Sequence, residues 1–217
     1  MRLVAFSDVH GLWDKLTVPD GDVLIFAGDF MTTGYKYGQV FKFGEWFSSH
    51  PHKRKIWIAG NHDRLMEKWP AIANGWFPGC DYLIDSGMSV AGVRFWGSPY
   101  TPEFNDWAFN VPSHVNASPI ETHWNKIPDA TDVLITHGPG LGCLDGFKDL
   151  LLSPDTFHVG CPRLREAVLR VKPQVHIFGH IHCGYGNKWI GDDTRAFNVA
   201  VCDENYLIAH PCTVIDL

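Results

Sequence analysis

The chain has 217 residues, a net charge of −6 and a pI near 6.0, with 45% hydrophobic and 19% charged residues. That length suits one domain with a sizeable core, and the composition excludes a disordered chain. The negative balance excludes a global field of the kind that gathers long nucleic acids, so an anionic substrate must be attracted locally.

Met1-Arg2 leads straight into an apolar run, so no signal peptide is expected ahead of it. No apolar stretch approaches the length of a membrane span, so a cytoplasmic protein with no membrane partner is expected. Six cysteines (Cys80, Cys143, Cys161, Cys183, Cys202, Cys212) show no Cys-x-x-Cys spacing and read as reduced thiols, mostly buried.

In chain order, residues 3–6 read as a first strand, ending in Ser7-Asp8-Val9-His10-Gly11. Residues 22–27 are a second apolar strand that ends in Gly28-Asp29. Val40, Phe41, Phe43, Trp46 and Phe47 recur at helical spacing and predict an amphipathic helix over 37–49. Residues 55–59 form a third strand that stops at Gly60-Asn61-His62-Asp63, where Gly60 permits a tight backbone turn. A helix starting at Asp63 is interrupted at Pro70.

From Tyr82 to Gly97 the runs shorten, and residues 82–85 and 93–96, separated by Gly87 and Gly92, predict antiparallel hairpins. Residues 98–116, rich in Pro, aromatics and Asn, form a long loop of the kind that covers a site. A short helix over 120–126 opens at Ser118-Pro119. Residues 132–136 are another buried strand, ending in His137-Gly138-Pro139-Gly140. A second long loop runs to Gly160-Cys161, and a helix over 162–171 follows with Leu164, Ala167, Val168 and Val171 as its apolar face. Residues 175–178 are a strand ending in Gly179-His180-Ile181-His182, and short strands follow at 195–199, 206–209 and 213–216. With no repeat, low-complexity tract or linker, one domain over 1–217 is expected, a mixed α/β sandwich.

Five apolar strands thus end in polar clusters, and strand ends at one sheet edge lie side by side. Taken singly, Asp-x-His and Gly-Asp are common turns, and Thr-His-Gly-Pro is a loop with a satisfied histidine. Gly-His-x-His says more, because an i, i+2 pair in extended backbone points both rings the same way. Together the five argue for one shared site. Asp8, His10, Asp29, Asn61, His137, His180 and His182 offer carboxylate, amide and imidazole ligands without a thiolate, unlike a closed structural zinc site. Seven mixed ligands are too many for one ion. They suit two divalent ions with one carboxylate bridging, and Mn, Fe, Zn or Co are all candidates. Two such ions, two carboxylates and a bridging hydroxide leave about +1 at the site, which draws a small anion there.

As an ordered set, Asp8-x-His10, Gly28-Asp29, Gly60-Asn61-His62-Asp63, His137-Gly138-Pro139 and Gly179-His180-x-His182 resemble the calcineurin-like metallophosphoesterase signature. The resemblance spans nearly the whole chain. It implies a four-layer α/β/β/α sandwich with two mixed sheets and a dinuclear site at the strand ends. It implies Asp8, His10, Asp29 and His182 around one ion, with Asp29 bridging to a second ion completed by Asn61, His137 and His180. His62 is then the catalytic residue that protonates the leaving group or steadies the transition state, and Asp63 orients it.

Trp46, the run 56–62, Pro99-x-Thr101-Pro102-x-Phe104-Asn105-x-Trp107-x-Phe109-Asn110, Val159-Gly160-Cys161 and His182-x-Gly184-Tyr185-Gly186 are similar to a narrower group. It is the small class III phosphodiesterase-like group, which includes metallophosphoesterase-domain proteins of animal brain. Some animal members have glycine where this chain has His180, and Glu is common where it has Asp63.

The implied activity is hydrolysis of small phosphodiesters, cyclic nucleotides among them, by in-line attack of a metal-bridging hydroxide. A phosphomonoesterase or protein phosphatase is the nearest alternative, and a catalytically silent binding scaffold of the same fold is the alternative outside enzymes. Trp96, Tyr100, Phe104 and Trp107 are candidates to stack a base beside the metals, with core and loop packing as the other reading. His158, Gly160 and Cys161 border the pocket on the resemblance alone. A small phosphoester is the expected partner, and no basic stripe supports a nuclease.

Overall fold

The computed structural model describes residues 1–113, 118–148 and 156–217. Its first half runs β1 (Arg2–Phe6), β2 (Val23–Ala27), α1 (Tyr37–Ser49), β3 (Arg54–Ile58), α2 (Arg64–Lys68), α3 (Ile72–Trp76), β4 (Asp81–Tyr82), β5 (Ser86–Val90) and β6 (Val93–Ser98). There follow β7 (Thr101–Pro102), β8 (Asn110–Val111), α4 (Glu121–Trp124), β9 (Val133–Thr136), β10 (Gly146–Lys148), β11 (Thr156–His158) and α5 (Pro162–Val171). The chain closes with β12 (Val175–Phe178), β13 (Gly186–Ile190), β14 (Thr194–Asn198) and β15 (Thr213–Asp216).

A strand that is apolar on both faces needs a covering layer on each side. The first sheet has the order β15-β1-β2-β3-β4, antiparallel only between β15 and β1. Val4, Phe6, Leu24, Phe26 and Trp57 point from it onto Val40, Phe43 and Phe47 of α1. The alternate residues Leu3, Ala5, Val23, Ile25, Ile56 and Ile58 face Val133, Ile135, Val175 and Ile177 of the second sheet. That sheet has the order β13-β14-β12-β9-β6-β5, parallel in its centre and antiparallel at both edges. Its outer residues Leu134, Phe178 and Ala196 pack on Trp124 of α4 and Leu164, Ala167, Val168 and Val171 of α5. The result is four layers, α/β/β/α. A buried Leu, Ile or Phe contributes about 1.5–3 kcal/mol, against about 0–1 kcal/mol for an exposed ion pair. The sheets are therefore docked by apolar contact, and polar groups collect at the rim.

That rim is where the parallel strands end. The sheets join there, Ser7 N–H donating to the Val199 carbonyl at 3.0 Å and Val201 N–H to the Ser7 carbonyl at 3.1 Å.

Some sequence expectations change. Residues 82–85 are not a hairpin arm, since Tyr82 pairs in parallel with Trp57 and the hairpin partner of β6 is β5. Residues 206–209 form a turn with one isolated bridge, Ile208 to Cys202, rather than a strand. The unforeseen β13 is an edge strand with three consecutive exposed residues, so it has no burial alternation to read. The 98–116 loop contains the short parallel pair β7 and β8, and its residues 114–116 lie outside those described. The second long loop contains the β10–β11 pair, with 149–155 likewise outside. All six cysteines are free, and four of them are buried. Among the described residues, no helix is long and apolar enough to cross a membrane.

Candidate metal centre and cleft

The loops after β1, β2 and β12 take an uncommon backbone path. Asp8 (φ +55°), His10 (φ +40°), Asp29 (φ +67°) and His180 (φ +69°) all lie in the left-handed region. Non-glycine residues avoid it, at a cost of about 1–3 kcal/mol each. Neighbouring backbone holds Asp8 and His10 there, and the carboxylates of Asp63 and Asp8 take the N–H of Asp29 and of His180. Asp8 N–H donates to the Gly28 carbonyl at 2.9 Å, while Val9 and His10 N–H both donate to the Asp29 carbonyl at 3.0 and 3.1 Å. Gly60 opens the tight turn expected of it, Asp63 N–H donating to its carbonyl at 3.0 Å, and does so without a left-handed φ. Its reason is space, because a Cβ there would run into Asp29 Oδ1 and the His137 ring.

The strand ends bring six of the seven candidate ligands into two groups, and a third cluster of His10, Asp29 and His62 joins them. Ligand atoms of Asp8, His10 and His182 lie within 4.8 Å of one another, and so do those of Asp29, His137 and His180. His180 is left-handed and goes to one group while His182 goes to the other, so the pair does not point one way from extended backbone. His10 Nε2 is 3.2 Å from His182 Nε2, and Asp8 Oδ1 is 3.6 Å from the latter. His137 Nε2 is 3.4 Å from Asp29 Oδ2 and 2.8 Å from Asn61 Oδ1.

Four rings are oriented in one manner. Nδ1 of His10, His62, His137 and His182 meets the backbone carbonyl of Met31, Thr32, Ala27 and Asp203, respectively. A neutral ring that donates from Nδ1 keeps a bare lone pair on Nε2. Nε2 of His10 and of His182 then face each other as acceptors, and Asn61 Oδ1 faces His137 Nε2 likewise. Asp8 Oδ2 accepts from Ser7 Oγ and the His180 N–H, but the buried Asp8 Oδ1 has no hydrogen-bond partner. Converging acceptors with no donor between them fit cations.

Without a cation, protons take that role. Burial disfavours the charged form of His137, yet Asp29 outweighs it and raises His137 to about 9. Burial likewise opposes the charge on His182, and contact with Asp8 raises it to about 9. Burial lowers His10 to about 4 and His180 to about 3, so these two stay neutral.

Asp63 departs from its expected part. Its Oδ2 accepts from the N–H of Asp29 at 2.9 Å and of Gly60 at 2.8 Å, and its Oδ1 from the N–H of Met31 at 2.9 Å. It ties the β2 and β3 loops together, while the Thr32 carbonyl holds the His62 ring. His62 Nε2 stands 4.0 Å from Asp29 Oδ2, beside both groups.

A cleft of about 820 Å³ opens over these atoms. Phe104 and Trp107 line it, but Trp96 and Tyr100 pack on the core beneath α4 and α5, Tyr100 with its ring 3.6 Å from that of His123. His158 bonds to the buried Asp145 at 2.9 Å, Gly160 packs against the Gly140 backbone, and Cys161 Sγ caps α5 by accepting from the Leu164 N–H. Val159 lines the cleft in their stead. Sequence reasoning missed Glu103, Phe147, Glu204 and Tyr206 in the lining. Tyr206 (φ +60°) sits 4.7 Å from the His10 ring, on a turn where Asp203 Oδ1 accepts from the N–H of Asn205 and Leu207. The Asp203-Glu204-Asn205 run was the available signal, since such residues make turns rather than strands.

The calcineurin-like phosphoesterase family model matches residues 1–184. The human metallophosphoesterase domain-containing protein 1 is 39% identical over 240 residues, covering 100% of this chain and 71% of that protein. A Caenorhabditis elegans UPF0046 protein is 36% identical over 94% of this chain and 71% of its own length. Among solved structures, phosphopantetheinyl hydrolase from Mycobacterium tuberculosis superposes with a TM-score of 0.61 at 16% identity, over 94% of this chain and 90% of that one. That likeness speaks for the fold alone. Matched by the family model over most of its length and by a 39% identical relative over all of it, the chain belongs to the calcineurin-like phosphoesterase family.

Proposed function

We propose that the chain is a dinuclear-metal phosphodiesterase acting on small, singly charged phosphodiesters, cyclic nucleotides among them. The observation that carries this reading is the convergence of unshared lone pairs into two groups joined by Asp29, with His62 beside both. Asp8, His10, Asp29 and His182 would hold one divalent ion, and Asp29, Asn61, His137 and His180 the other. When bound, such ions polarise phosphoryl oxygens and lower the pKa of water.

The remaining work falls to the protein. The Thr32 carbonyl holds His62 Nδ1, which leaves Nε2 facing the cleft. In its protonated form that nitrogen donates to the departing alkoxide oxygen. Asp63 keeps the backbone of Asp29 and Gly60 in place, so the bridging carboxylate cannot drift from its partners.

Charge favours a diester over a monoester. A phosphate monoester is nearly dianionic at neutral pH, its second pKa being about 6, whereas a diester carries one charge. Among the described residues the lining has Glu103 and Glu204 and no Lys or Arg, so nothing beside the metals attracts a second charge. Phe104, Phe147 and Tyr206 offer apolar surface to the organic part.

The Mn-loaded protein is expected to hydrolyse bis-p-nitrophenyl phosphate with kcat/KM at least about tenfold above that for p-nitrophenyl phosphate. An equal or reversed ratio sinks the diester reading, and hydrolysis of neither restores the binding scaffold.

A further inference from the structure

Trp107, a sequence candidate for base stacking, spends its ring elsewhere. Its indole lies against the His62 imidazole, with centroids 4.2 Å apart and planes 25° from parallel. The Arg64 guanidinium is 5.1 Å from the same indole, and Arg64 also reaches the backbone carbonyl and the carboxylate of Asp106. Main-chain bonds join the same two segments. Ala108 N–H donates to the Asn61 carbonyl at 3.1 Å, and Phe109 N–H donates to Glu67 Oε1 at 2.6 Å.

Trp107 is therefore anchored from both sides, by Asp106 before it and by Ala108 and Phe109 after it. The two segments come from different sheets. The loop carrying Trp107 follows β6 of the second, and His62 follows β3 of the first.

His62 has other neighbours, none of them face to face with it: the Thr32 carbonyl at Nδ1, Asp29 Oδ2 at 4.0 Å from Nε2, and the His10 and Tyr206 rings, with centroids 4.6 and 6.1 Å away at 70° and 56°. A single hydrogen bond at Nδ1 fixes one point of the ring and leaves its plane free to swing. The indole face removes that freedom. A core tryptophan would be buried, yet Trp107 is partly exposed and lines the cleft.

The geometry points to Trp107 as a positioning residue whose indole face fixes the plane of His62, and with it the direction from which Nε2 meets the leaving-group oxygen. This rests on His62 being the proton donor of the proposed reaction. Misplacing a donor by an ångström costs about 100-fold in rate.

The test compares two diesters of similar shape, diphenyl phosphate and bis-p-nitrophenyl phosphate, on the Mn-loaded enzyme. Phenolate needs the proton more than p-nitrophenolate does. Trp107→Ala should lower kcat about 100-fold on diphenyl phosphate and less than about fivefold on bis-p-nitrophenyl phosphate, with KM within about threefold for both. Trp107→Phe keeps a flat face and should recover diphenyl phosphate turnover to within about fivefold of wild type. The double variant His62→Ala, Trp107→Ala should be no slower on diphenyl phosphate than His62→Ala, because residues acting as a unit are not additive. A raised KM at constant kcat, or losses that multiply in the double variant, would overturn the inference. If only monoesters are turned over, phenyl phosphate and p-nitrophenyl phosphate replace the pair. The diester reading then fails while Trp107 is still decided, and turnover of neither class sinks both.

Discussion

The two sheets meet at the site but bring different chemistry to it. To the candidate ligand groups and the residues beside them the first supplies the three buried carboxylates, Asp8, Asp29 and Asp63, together with His10, Asn61 and His62. To the same groups the second supplies the imidazoles of His137, His180 and His182. Each ligand group draws on both sheets, Asp8 and His10 meeting His182, and Asp29 meeting His137 and His180. Three carboxylates packed out of water need positive charge close by. In the metal-free chain that charge comes across the sheet boundary, from protons on His137 and His182. Cations bound by these same groups would replace those protons. The site is thus a polar staple between layers that are elsewhere held by apolar contact.

Removing the shared member should break this arrangement most severely. Asp29 contacts both groups and also accepts the His62 N–H at 2.7 Å. Asp29→Ala is expected to bind at most one of the two metals and to lose turnover by about 10³-fold or more, read by elemental analysis and kcat. His180→Gly, which touches only the second group, should cost about 10–100-fold and retain one ion. Equal losses in the two variants would show that Asp29 is not shared.

Proton and metal are distinguishable by pH. His137 and His182 stand at about 9 in the folded chain, above an unfolded value of about 6.5. Their protons contribute stability that is fully present below about 6.5 and is lost as pH rises through about 9. The Tm of the metal-free protein should therefore fall between pH 7 and pH 9.5. Mn is expected to raise Tm by about 10 °C at the upper end and by less at the lower end. Melting curves with and without chelator measure the gap. One that narrows as pH rises would show that the metals do not sit on these imidazoles.

The strands that carry the candidate ligands were legible because each is an apolar run that stops abruptly in a polar or glycine-containing turn. The long helices were legible too, at 37–49 and 162–171, because their apolar positions recur at 3.6-residue spacing over several turns. Two-residue β4 and exposed β13 carry no comparable period. Four left-handed ligand positions were hidden for another reason. Non-glycine residues are uncommon in that backbone, though Asp and His tolerate it better than most, and bonds from remote loops fix it here. The Gly60 requirement comes from Asp29 and His137, both remote in sequence. Substrate contacts were least legible, because aromatic residues are chosen for packing and for binding alike. Trp96 and Tyr100 went to the core, Phe104 and Trp107 to the cleft.

Asp63 offers the smallest effect and the finest discrimination. Burial first, and the Asp29 charge second, push its carboxyl up to about 8, while three backbone N–H donors push the other way. Every group around it donates, so a protonated oxygen would face a donor and find no acceptor. A cation beside Asp29 also removes the second upward cause, and the ionised form is the one that fits. Asp63→Asn places an NH₂ group against at least one of those N–H donors, which should cost about 1.5–3 kcal/mol and lower Tm by about 5 °C. If Asp63 were neutral in the loaded protein, asparagine would be nearly isosteric and Tm would move by less than about 2 °C. The difference decides whether the first sheet carries two or three negative charges into the site.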